Sequence, residues 1–74
     1  MNINNLRDML TEAKKNSYAV DIYIHLDDMR SHYRIFPYNE WQFSYGDLIV
    51  KSPNNIVIVD CNYIVKASFC KRSV

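Results

Sequence analysis

The sequence predicts an α+β domain in which one N-terminal helix precedes about five short antiparallel strands, forming a strongly bent sheet or a small barrel. Three observations predict it. Apolar residues near the N-terminus recur at three- and four-residue steps. Further along they alternate with period two, the spacing of a half-buried strand. Turn-forming residues then punctuate the alternation at short intervals. At 74 residues, positions 1–74 make a single domain near the lower limit of what one hydrophobic core stabilises.

The helix is placed at about 5–15. Ile3, Leu6, Met9 or Leu10, and Ala13 form its apolar stripe. Asn4 or Asn5 can cap it by accepting from a free backbone N–H of the first turn. Asp8 and Glu12 lie toward its start, and Lys14 and Lys15 in its last turn, as the helix dipole favours. So short a helix is marginal alone, and its stripe must dock on the strands C-terminal to it.

The first strand is 19–26, with Val20, Ile22, Ile24 and Leu26 on one face and Asp21, Tyr23 and His25 on the other. A turn at Asp27, Asp28 and Met29 leads to a strand at 31–38, whose end Pro37 places at a sheet edge because it lacks an N–H. Residues 39–42 read as a loop, and Gly46 with Asp47 as a turn. A strand at 48–52 ends at Pro53, Asn54 and Asn55. The strand at 56–60 is apolar from Ile56 to Val59, which fits cover on both faces. After a bend at Asp60, Cys61 and Asn62, the last strand spans 63–69, and the polar tail 71–74 is expected to fray. An open meander with the helix on one face is the second arrangement the pattern allows.

Composition narrows the function classes. A formal net charge of +1 gives no strong field of either sign, which disfavours an acidic mimic of nucleic acid and weakens a nucleic-acid reading. No segment has the roughly 20 apolar residues of a membrane span, and no signal-like apolar run opens the chain. Cys61 and Cys70 have no CxxC spacing. A cytoplasmic protein with reduced thiols is expected, although a disulfide is open if the two lie on adjacent strands.

Catalytic and cofactor chemistry finds little support. His25, His32, Ser31, Asp27 and Asp28 cluster at one hairpin turn rather than converging in a cleft, so no triad is expected. His25, His32, Cys61 and Cys70 could supply four zinc ligands, but neither pair has knuckle spacing. Asp27 and Asp28 alone are too few oxygens for calcium. Gly46 is the only glycine, so no glycine-rich loop can cradle a phosphate. The expectation is a non-enzyme with no metal or cofactor.

The aromatic segment 33–45 remains. It holds Tyr33, Phe36, Tyr38, Trp41, Phe43 and Tyr45, with Arg34 among them. Such rings are an efficient way to complete a small core, or a protein-binding surface, or a platform for stacked bases beside Arg30, Arg34, Lys51 and Lys66. Near-neutral charge favours a protein partner, including a second copy of the chain. The partner-binding set is Arg34, Phe36, Tyr38, Trp41, Phe43 and Tyr45, with Tyr38 and Trp41 as anchors. Alternation along 31–38 would put Arg34, Phe36 and Tyr38 on one face.

The order of elements resembles the Sm-like fold of bacterial Hfq. The run Ala19-Val20-Asp21-Ile22-Tyr23-Ile24 is similar to its first strand, and Ile56-Val57-Ile58-Val59 followed by Tyr63-Ile64-Val65-Lys66 is similar to its last pair. The resemblance implies a small barrel, ring assembly and RNA binding. The chain departs from that family in having no glycine in 31–38, a longer connection at 39–47 and no nucleotide-pocket motif, so no RNA-binding residue carries over. The opening Met1-Asn2-Ile3-Asn4-Asn5-Leu6 resembles the start of a small phage anti-CRISPR family. The expected function is therefore a small modulator, phage- or mobile-element-encoded, that binds a host or phage protein and inhibits or otherwise regulates it. An Sm-like RNA-binding module is the alternative.

Overall fold

The computed structural model describes residues 1–71; the end of the expected frayed tail, 72–74, lies outside the described residues. Helix α1 (Ile3–Asn16) leads into β1 (Ala19–Leu26), β2 (Met29–Ile35), β3 (Glu40–Ser44), β4 (Asp47–Lys51) and β5 (Ile56–Asp60). A 3-10 turn at Cys61–Tyr63 then precedes β6 (Ile64–Cys70). The strands form two antiparallel three-stranded sheets, ordered β2-β1-β6 and β3-β4-β5. The class is α+β, as the sequence predicts.

Helix α1 is longer than expected because Asn2, not Asn4 or Asn5, caps it. The Asn2 Oδ1 accepts from the Asn4 N–H at 2.7 Å and from the Asn5 N–H at 3.3 Å. That brings Ile3 into the first turn, where it packs against the core. Ser17 ends the helix at φ 60°, and the Tyr18 N–H reaches back to the Ala13 carbonyl at 2.8 Å. Leu6, Leu10 and Ala13 are the buried face. They join Val20, Ile22, Ile35, Leu48, Val50, Val59, Cys61 and Ile64 in one core fed by both sheets.

The structure corrects several expectations. The strand expected at 31–38 runs from Met29 to Ile35, since Asp27 and Asp28 alone make the turn and Leu26 pairs with Met29. It stops at Ile35 because Phe36, Pro37, Tyr38 and Asn39 form a β-turn: the Asn39 N–H donates to the Phe36 carbonyl at 3.0 Å. Residues 40–44, expected in part as a loop, form a sixth strand paired with β4 from Glu40↔Lys51 to Ser44↔Asp47. Barrel closure is absent: among the described residues no strand pair joins the two sheets, and the turn at 36–39 interrupts the ladder where they meet.

The apolar run of β5 suggested cover on both faces, and this too is corrected. It is the end strand of its sheet; only Val59 is buried, while Ile56 and Ile58 are 61% and 63% exposed. The final strand begins at Ile64 rather than 63, because the Asp60 carboxylate accepts from the Asn62 N–H at 2.9 Å and holds residues 61–63 in the 3-10 turn. A bulge follows, where Tyr23 pairs with Lys66 but Ile24 pairs with Ile64.

Candidate partner-binding site

The six residues expected to bind a partner occupy four places. Arg34 lies on the outer face of the first sheet, directly across from Asp21. Its Nε and Nη2 donate to the two Asp21 carboxylate oxygens at 2.6 and 3.0 Å, a two-point grip that suits the planar guanidinium. This hydrogen bonding holds the Asp21 carboxyl below its ordinary range and the Arg34 guanidinium above its own. Asp21 is buried, so Arg34 answers an internal carboxylate instead of standing free for a partner.

Phe36 and Tyr38 do come together, but through the turn and not through strand alternation. Their rings stack in parallel, with centroids 5.3 Å apart and planes 8° apart. Tyr38 is 68% exposed and Phe36 is partly so. Beneath them, the buried Asn39 side chain fixes the turn. Its Oδ1 accepts from the Phe36 N–H at 2.8 Å, and its Nδ2 donates to the Ser52 Oγ at 3.1 Å. The result is a preset aromatic ledge at the junction of the two sheets.

Trp41 and Phe43 sit in β3 opposite Val50 and Leu48, both fully buried, and so point to the core side of the second sheet. Their rings meet edge to face at 5.9 Å, and the Arg7 guanidinium lies 5.2 Å from the Phe43 ring centre. They are half-buried packing residues, which removes Trp41 from the role of exposed anchor. Tyr45 is the opposite case. It occupies the tip of the β3–β4 hairpin, fully exposed, at φ 51° beside Gly46 at φ 82°. Two positive φ values in a two-residue loop suit the right-handed twist of a hairpin, but an aromatic residue has no conformational reason to stand there.

The outer face of the first sheet holds a second group that strand alternation alone does not assemble. Tyr23 stacks on His32 at 5.7 Å, and the Lys66 ammonium lies 5.5 Å from its ring centre. Arg30 and His25 are paired across β1 and β2 beside them. The two histidines therefore lie opposite Arg30 and Tyr23, not opposite each other. Among the described residues the ion pairs are Lys14 with Glu40 and Arg34 with Asp21, so neither Arg30 nor Lys66 has a carboxylate partner.

Among the described residues no three His, Cys, Asp or Glu side chains stand close enough to hold a metal ion. Cys61 is buried and Cys70 half-buried, both as free thiols. Burial, aided by Asp60 and Asp47, raises the Cys61 thiol above its ordinary value. No described helix is long and apolar enough to cross a membrane. Compared with known proteins, the chain matches no family model, and no curated protein or solved structure matches it.

Proposed function

We propose that this chain is a non-enzymatic protein-binding module that grips a host or phage protein through the ledge formed by Phe36 and Tyr38. The carrying observation is that two stacked, partly exposed rings stand on a turn locked from below by Asn39. A rigid aromatic pair loses little freedom on binding, and large rings in fixed positions are what protein interfaces concentrate energy on. Tyr45 adds a projecting ring elsewhere on the surface. Inhibition or regulation of that partner is the activity proposed for the contact.

The test is capture of partners from host lysate by the full chain, with and without nuclease, compared with Tyr38→Ala. A protein retained after nuclease and salt but lost with Tyr38→Ala supports the reading. Recovery of nucleic acid alone overturns it.

An Sm-like RNA-binding module is the second reading, favoured by Arg30 and Lys66 on the face of Tyr23, neither of them ion-paired among the described residues. Counting β2 and β3 as one strand broken at 36–39 also leaves the helix-plus-five-strand order of the resemblance. Two phosphate contacts on a single strand predict a salt slope of about −1.4 on logarithmic axes. Binding to a labelled oligonucleotide should follow that slope and weaken for Arg30→Glu and Lys66→Glu.

A further inference from the structure

We infer that two copies of the chain join by antiparallel pairing of β5 with its counterpart, about a two-fold axis through Ile58. Among the described residues, strand β5 hydrogen-bonds with β4 alone and its other edge has no strand on it. Protein edges are ordinarily guarded by charge, proline or a bulge, because a bare edge recruits another strand. The other end strands carry such guards: Arg30 and Arg34 in β2, Glu40 in β3, and the bulge with Lys66 in β6. Strand β5 reads Ile56-Val57-Ile58-Val59-Asp60, with no charge before its last residue and no proline.

The strand is also complementary to itself. Centring the two-fold on Ile58 sets Ile58 against Ile58, Val57 against Val59 and Ile56 against Asp60 of the other copy. The two Asp60 carboxylates then stand at opposite ends of the seam and do not meet. Each already accepts from its own Asn62 N–H, so neither needs a partner across the seam. Ile58, more than half exposed in the single chain, meets its own counterpart at the centre of the seam, with the Val57–Val59 pairs on either side. The pairing makes one six-stranded sheet, ordered β3-β4-β5-β5-β4-β3. An isologous contact of this kind closes after two copies instead of growing into a fibre. The aromatic ledge leads into β3, at the opposite edge of the sheet from β5, so the dimer does not depend on the proposed partner binding.

Sedimentation equilibrium of the full chain, with Ile58→Lys and Tyr38→Ala beside it, tests this. The expected result is a species of twice the 8.8 kDa chain mass. Ile58→Lys should raise its dissociation constant at least ~10-fold, while Tyr38→Ala leaves it unchanged. Ile58 is largely exposed, so the lysine should be tolerated; should that variant misfold, Ile56→Glu, which sets a second negative charge against Asp60 of the other copy, reads the same edge. Amide hydrogen exchange should show protection along β5 that grows with protein concentration. A monomer at all concentrations up to about 1 mM, an assembly larger than two, or a dimer indifferent to both charge substitutions would overturn the inference.

Discussion

Removing the Asn39 carboxamide leaves the Phe36 N–H and the Ser52 hydroxyl without their partners beneath the aromatic ledge. Both bonds are only part-buried, so Asn39→Ala should lose about 1 kcal/mol in denaturant unfolding and loosen the two rings as well. Asp21 offers a second test. Its folded pKa is depressed, so its contribution is present above the unfolded value of about 3.9 and is lost as pH falls through the folded one. Acid unfolding of Asp21→Asn should therefore be flatter below about pH 4 than that of the wild type. Both residues show where residue-scale reading fails. The proline at the second position of 36–39 was a legible turn signal, yet alternation from 31 onward concealed it. That Asn39 is buried was not legible, because its partner Ser52 comes opposite it only once β3 pairs with β4. The burial of Asp21 likewise depended on Arg34 arriving from the neighbouring strand.

Elements with strong local periodicity were legible; those defined by pairing were not. Helix α1, β1 and the 53–55 turn follow from spacing and turn chemistry. Strand β3 did not, since Glu40, Gln42 and Ser44 look like loop residues until Trp41 and Phe43 find Val50 and Leu48 across the ladder. The hairpin they belong to makes a direct prediction. Tyr45 at φ 51° carries backbone strain that asparagine tolerates better, so Tyr45→Asn should raise stability by up to about 1 kcal/mol in thermal unfolding. Gly46→Ala should cost about 1 kcal/mol from φ alone, because an added Cβ would meet nothing within 4 Å. A residue kept at a stability cost with its ring in water is consistent with a contact made outside the chain.

Taken whole, the molecule has a core shared by two open sheets and one helix, and that sharing decides which thiol is reachable. Cys61 sits in the core at 4% exposure, with its thiol shifted further from ionisation. A thiol reagent at pH 8 should label Cys70 first and Cys61 only as fast as the chain opens. The class and the single core were readable from patterning, whereas the failure of the barrel to close was not. The turn at 36–39 splits β2 from β3, and among the described residues no ladder joins β5 to β6, the pairing that closure would need. The pairing of β1 with β6 bears on how the chain is born. The second sheet is a run of adjacent hairpins that can form as soon as its residues exist, but Val20 must wait for Phe69. Until β6 docks, β1 therefore keeps one flank unclaimed, so the hazard of misassembly belongs to β1 and is relieved by its more distant partner in sequence.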